Sequence, residues 1–183
     1  MAKNAKIVGI AVIVVAIAVF ALFADGLLVH KASAVSLPVG VAAPLKSFYF
    51  VNGTKGTIAD FKGKTVLLYL VTTWCSTCAQ GTSALGKNIS FFKSKNVSIV
   101  EVETYKDFNY SGAPIYQFTK DYAGNNSSYM IDAYSGYNLT ATYDPKGYLD
   151  IYYLIAPSGK IAYVNGEPSV TMDSLKAAID NLV

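Results

Sequence analysis

The sequence predicts an α/β domain, a mixed central sheet flanked by helices. Three observations carry that prediction. First, "GKTVLLYLVTT", Gly63 to Thr73, is β-rich and apolar without alternation, as in a strand buried on both faces. Second, a helix-period segment from Ser76 to Lys95 leads into another apolar strand, "NVSIVEVET". A strand–helix–strand unit implies a parallel pair. Third, "DIYYLIAPSGKIAYVNG" reads as a strand, a Pro-Ser-Gly turn and a strand, which is an antiparallel hairpin.

The remaining elements follow in order. Residues 30–38 read as a linker into a domain spanning 39–183. "FYFVNGTKGTIADF" places Asn-Gly between two short runs, an N-terminal hairpin extension. In the first helix Ala79, Leu85, Ile89 and Phe92 recur near a 3–4 spacing, and Gly81 and Gly86 weaken the pattern. The segment at about 105–147 is rich in Tyr, Asn, Ser and Gly. It reads as an irregular insertion with one short helix, Pro114 to Tyr122. "SVTMDSLKAAIDNLV" closes the chain as an amphipathic helix. Thr171 is the expected N-cap, and Leu175, Ala178, Ile179 and Leu182 form one stripe.

The N-terminus points to a membrane. Ile7 to Ala24 is 18 residues long and carries no charge. As a helix it would extend about 27 Å, close to the hydrocarbon thickness of a bilayer. Lys3 and Lys6 precede it, so the positive-inside rule leaves the N-terminus in the cytoplasm and the rest outside. Residues 1–29 are therefore expected to be a cytoplasmic tip and a single transmembrane anchor. Ala32-Ser33-Ala34 offers the alternative of a cleaved signal. Both readings export the remainder.

Seven of the ten asparagines begin N-x-[ST] triplets: Asn52, Asn88, Asn96, Asn109, Asn125, Asn126 and Asn138. All lie beyond the apolar run, which suits a glycosylated outer face. From Val35 onward 12 Lys stand against 11 Asp plus Glu, so no basic patch suggests nucleic acid. The chain has no Arg.

Cys75 and Cys78 are the two cysteines, and Trp74 is the one tryptophan. A zinc site needs three or four protein ligands, and the single His, His30, is far along the chain, so no metal site is expected. Haem attachment needs His directly after the second Cys, where Ala79 stands. A structural disulfide would close a very small loop and gain little. A redox pair fits the placement. The strand delivers Cys75 to a helix start, where orphan N–H groups and the macrodipole favour a thiolate. Cys78 lies one turn on, able to attack a mixed disulfide made by Cys75. Cys75 is thus the expected nucleophile and Cys78 the resolving thiol, in a cycle that needs no bound cofactor. Trp74 would shield the pair and offer partners an apolar face.

These residues carry a family resemblance. "TTWCSTC" after a buried strand resembles the thioredoxin-like superfamily. The upstream "VGVAAPLKSFYFVNGTKGTIADFKGKTVLLYLVTTWC" is similar to membrane-anchored TlpA/ResA-type proteins and to peroxiredoxins, and "YYLIAPSGKIAYVNG" resembles their later strand–turn–strand. The resemblance covers most of Val39 to Val183, weakly between Tyr105 and Gly147. It implies a thioredoxin-like fold and an extracytoplasmic thiol–disulfide oxidoreductase. Its partners would be protein thiols or disulfides and a membrane redox protein. It also implies substrate docking at Trp74 and at the loop just before the strand from Ile151, around Asp150 and Ile151.

The chain departs from the family in three places. Thr77 stands where Pro often precedes the second Cys. Asp150 stands near the position of the family's cis-proline. Tyr69 stands where thioredoxins keep a buried acid. Three rival readings have weaker support. A peroxiredoxin shares Thr72 but needs Pro at the position of Leu68 and an Arg. A copper-delivery protein of the Sco type has a longer Cys spacing and a downstream His. A tethered binding module with a fixed Cys75–Cys78 disulfide would have no activity.

Overall fold

The computed structural model describes residues 37–182. The apolar run, the expected anchor and cleavage site, and most of the linker lie outside the described residues. Among the described residues no helix is long and apolar enough to cross a membrane.

Seven strands form one sheet among the described residues. They are β1 (Phe48–Phe50), β2 (Lys55–Gly56), β3 (Thr65–Val71), β4 (Val97–Glu103), β5 (Met130–Ser135), β6 (Asp150–Ile155) and β7 (Ile161–Gly166). Their order across the sheet is β2-β1-β5-β4-β3-β6-β7. β3, β4 and β5 run parallel. The pairs β1/β2, β1/β5, β3/β6 and β6/β7 are antiparallel. The sheet is mixed, as its parallel unit and its hairpin require.

β3 lies inside the sheet, between β4 and β6, and every one of its residues is buried. Its period-2 alternation feeds two cores. Leu67, Tyr69 and Val71 face one core, which includes Leu85, Phe118 and Leu175. Val66, Leu68 and Leu70 face the other, with Val100, Ile151 and Tyr153. This is why the run shows no polar alternation.

The helices are α1 (Ser76–Lys87), α2 (Ile89–Ser94), α3 (Ile115–Ala123), α4 (Tyr137–Tyr143) and α5 (Pro168–Asp180). The single helix expected from Ser76 to Lys95 is two helices, broken at Asn88. Asn88 sits at φ −101°, ψ 12°, and its Nδ2 donates to the Ala84 carbonyl at 2.8 Å. The glycines are not what breaks the helix. They permit close approach. A Cβ on Gly81 would lie 2.2 Å from the Tyr69 hydroxyl, and one on Gly86 would lie 2.8 Å from Ala123 Cα.

Two further expectations change. The stretch at 105–147 is not merely an irregular insertion. It holds α3, near the expected place, but also α4 and β5, and β5 pairs with both β4 and β1. The N-terminal hairpin therefore joins the sheet through a strand that polar composition concealed. The final helix begins at Pro168, so Thr171 is not its N-cap. Proline at the first helical position pre-sets φ and needs no N–H partner. The Thr171 hydroxyl lies inside the first turn, donating to the Gly166 carbonyl at 2.8 Å.

Candidate active site

β3 ends at Val71, and Thr72, Thr73 and Trp74 carry the chain to Cys75, the N-cap of α1. Cys75 is extended (φ −87°, ψ 126°), so its side chain turns back over the open helix end. Its Sγ accepts the Cys78 backbone N–H at 3.3 Å and lies 3.0 Å from the Thr77 hydroxyl. Both cysteines are free thiols. Cys75 is 6% exposed, whereas Cys78 is fully buried. The Cys78 thiol donates to the Leu149 carbonyl and sits 3.9 Å from Thr72 Oγ1. Burial pushes the Cys78 thiol far above its ordinary value, and its hydrogen bond with Cys75 adds to the rise.

An acid reaches this centre from across the sheet. The β3/β6 register sets Val71 opposite Asp150 and Tyr69 opposite Tyr152. The Tyr69 hydroxyl donates to Asp150 Oδ1 and also lies 3.2 Å from the Cys78 carbonyl oxygen. Asp150 is buried, and its Oδ2 has no hydrogen-bond partner. Burial pushes the Asp150 carboxyl up, and the Tyr69 and Thr77 hydroxyls partly offset that. Burial raises Tyr69 as well, reinforced by the Asp150 charge. The Asp150 backbone is fixed by the Glu167 N–H at 2.9 Å. Only glycine fits beside it at Gly166, where a Cβ would meet the Asp150 carbonyl at 2.8 Å.

Asp150 and Ile151 line a cavity of about 460 Å³ with Thr77, Tyr148, Leu149 and Glu167. The resemblance implies docking at Asp150 and Ile151; both line this cavity with Thr77, whose hydroxyl lies 3.0 Å from Cys75 Sγ. Trp74 does not line this cavity. Its ring packs at 4.7 Å from that of Tyr110, and its Nε1 donates to the Asp107 carbonyl at 2.9 Å. Trp74 remains 37% exposed next to Cys75.

Asp107 organises this second flank. Its carboxylate accepts the Thr73 N–H at 3.0 Å and the Thr73 hydroxyl at 2.6 Å. It stands in four consecutive left-handed residues, Lys106, Asp107, Phe108 and Asn109, with φ from 49° to 68°. Each such L-residue costs about 1–2 kcal/mol, so the bonds to Thr73 and Trp74 must hold the turn in place.

A second buried acid lies behind α1. Glu101 is fully buried on β4, bonded by the Thr82 and Thr119 hydroxyls; Thr119 also bonds Asp132 at 2.7 Å. Burial pushes Glu101 up to about 8. Of the sequon asparagines, Asn52, Asn96, Asn109, Asn125, Asn126 and Asn138 are exposed. Asn88 is half-buried, with its Nδ2 engaged.

Sequence reasoning located the Cys pair but missed Thr77 and Leu149 as their partners, and Asp107 as the partner of Thr73 and Trp74. It also left Tyr69 without its acid. The repeated threonines around the Cys pair were the available signal. The acids needed the sheet register.

The redoxin family model matches residues 38–179. The thiol-disulfide oxidoreductase ResA of Bacillus subtilis (strain 168) is 29% identical over 135 residues, covering 70% of this chain and 68% of that protein. The thioredoxin domain of a thiol-disulfide oxidoreductase from Bacteroides vulgatus superposes with TM-score 0.60 at 24% identity, over 79% of this chain and 99% of that one. Copper-bound ScoI from Arabidopsis thaliana superposes with TM-score 0.58 at 16% identity, over 77% and 99%. The two structural likenesses speak for the fold.

Proposed function

This chain belongs to the redoxin family, with a thioredoxin-like fold of the TlpA/ResA type, and we propose that it exchanges disulfides with protein substrates through Cys75 and Cys78. One observation carries the reading most directly. Cys75 Sγ caps α1 and accepts the N–H of Cys78, which lies one helical turn further on. A sulfur held by a helix N-terminus is suited to carry negative charge.

The cycle balances as follows. The Cys75 thiolate attacks one sulfur of a substrate disulfide. A Cys75–substrate mixed disulfide forms and one substrate thiolate leaves. Cys78 then loses its proton and attacks Cys75 Sγ, forming the Cys75–Cys78 disulfide and releasing the second substrate thiolate. The substrate gains two electrons and the protein loses two. A membrane redox partner would restore the dithiol, and the same steps reversed would oxidise a substrate. The cavity at Thr77, Asp150 and Ile151 receives the substrate chain beside the sulfurs, and exposed Trp74 offers it an apolar contact.

Export belongs to the same proposal. It rests on the apolar run Ile7–Ala24 behind Lys3 and Lys6 and on the sequons beyond it. Protease added to intact cells should digest the domain and spare only the tip; complete protection would sink the outward orientation.

Substitution of Cys78 by Ala tests the chemistry. Cys78→Ala should accumulate mixed disulfides through Cys75, seen as reducible adducts on non-reducing gels. If it traps nothing beyond what Cys75→Ala traps, the exchange reading fails.

A further inference from the structure

We propose that the end of the domain opposite the cysteines binds a single amphiphile, with an apolar chain in a cavity lined by Val66 and Ile155 and an anionic head at Lys64. The site uses no part of the exchange cycle.

The strand register makes the chamber. Val66 pairs with Ile155, five positions along β3 from the Val71–Asp150 pair, so about 17 Å of strand separate it from the active-site end. With Ala43, Ile58 and Phe61 these two residues line a cavity of about 280 Å³. Ala43, Ile58, Val66 and Ile155 are buried, and Leu45 stands at the lip, 64% exposed. That volume lies just below the range usual for drug-sized ligands, so it suits a chain rather than a ring system.

The walls disfavour a polar occupant. Their backbone groups hydrogen-bond among themselves: the Ala43 N–H donates to the Gly159 carbonyl at 2.9 Å, the Gly159 N–H to Ala156 at 2.8 Å, and the Lys64 N–H to Phe61 at 3.0 Å. A sugar or nucleotide placed here would lose its water and find few partners. An alkyl chain meets no such cost, and burial of each methylene is favourable.

Charge enters at the edge of the cavity. Lys62 and Lys64 line it, are exposed and form no ion pair among the described residues. Asp60, the acid in the same turn, accepts the Thr57 N–H at 2.7 Å. Lys64 and Pro157 also line an adjoining hollow of about 470 Å³, together with Thr65, Ser94, Lys95 and Asn96. Lys95 is held by Asp180 at 2.7 Å, so Lys64 is left to meet an incoming anion. An apolar chamber and a polar hollow thus share one cation. Their joint complement is an apolar chain ending in a carboxylate or a phosphate ester. A free fatty acid and a membrane lipid both carry that chemistry.

The test follows the methyl NMR signals of Ile58, Val66 and Ile155 in the full chain, held in neutral phosphatidylcholine nanodiscs, as decanoate is added. Those signals should shift saturably. Decyltrimethylammonium, with a similar chain and the opposite charge, should bind about tenfold more weakly, the scale of one lost charge-assisted contact. Lys64→Glu should reverse that preference. Ala59→Phe, at an exposed lining position, should block both probes. Nanodiscs containing phosphatidylglycerol, without decanoate, separate the sources. Shifts there assign the site to a bilayer lipid, and shifts with decanoate alone assign it to a free amphiphile. No saturable shift with either overturns the proposal. Equal binding of the two charged probes, or a preference that survives Lys64→Glu, also overturns it, because only nonspecific uptake by apolar surface would remain. If Lys64→Glu does not fold, Lys64→Gln decides: it should abolish the preference, and an unchanged preference overturns the proposal.

Discussion

The Tyr69 hydroxyl on β3 donates to the Asp150 carboxyl on β6, across an antiparallel strand pair. The same hydroxyl lies 3.2 Å from the Cys78 carbonyl, so one phenol ties two strands to α1. Tyr69→Phe removes this donor and leaves the buried Asp150 Oδ1 short of a partner. A loss of about 1–3 kcal/mol in stability is expected. Urea denaturation should show a lower midpoint with unchanged slope; an unchanged midpoint would mean that the phenol contributes nothing.

Gly81 and Tyr69 should be coupled. A Cβ on Gly81 would sit 2.2 Å from the hydroxyl but 3.1 Å from the ring carbon bearing it. Gly81→Ala improves helix propensity by up to about 1 kcal/mol, but the clash should outweigh that and give a net loss of about 1–3 kcal/mol. In a Tyr69→Phe background the clash partner is gone, and the loss should shrink by at least about 0.5 kcal/mol. Additive changes in a double-mutant cycle would refute the close approach.

Glu101 gives the domain a pH signature. Its pKa rises from 4.5 to about 8 on burial, so between those values the folded chain binds more protons than the unfolded one. Stability is then full below about 4.5 and falls as pH rises toward about 8. Glu103, Asp132 and Asp144, also raised by burial, slope the same way. Glu101→Gln should flatten the slope, its advantage over the unaltered chain growing with pH by on the order of a few kcal/mol. Urea unfolding at about pH 5 and about pH 9 checks this; equal differences at both pH values would contradict it.

Trp74 is a single internal reporter of the left-handed turn. Asp107→Ala removes both carboxylate bonds to Thr73, at an expected cost of about 1–3 kcal/mol. With the turn freed, the Trp74–Tyr110 packing should loosen and the emission shift to longer wavelength. Emission identical to that of the unaltered chain would show that the turn holds without Asp107.

What the sequence made legible followed from local pattern. β3 shows as an unbroken apolar run because both its faces meet a core, and Cys75 and Cys78 show by spacing alone. β5 did not show. Its "MIDAYS" carries Asp132, which bonds Thr119, and its buried residues, Met130, Ala133 and Ser135, do not alternate, amid Tyr- and Ser-rich neighbours. The helix break at Asn88 rests on one side chain folding back on Ala84, for which the apolar spacing had no sign. Asp150 was visible as a residue out of place. Its tie to Tyr69, 81 positions away, needed the β3/β6 register.

The strand order also fixes a chronology. β3 sits between β4 and β6, so Val66 waits for Ile155 and Tyr69 waits for Tyr152. β1 must likewise wait for Ala133 to Ser135. A chain made from its N-terminus presents Cys75 and Cys78 well before the residues that enclose them. During synthesis the thiols are therefore open to any oxidant or stray cysteine they meet. Arrival of β6 gives β3 its last partner and brings Leu149 to the Cys78 thiol, so the newborn chain closes its sheet and shelters that sulfur in a single event.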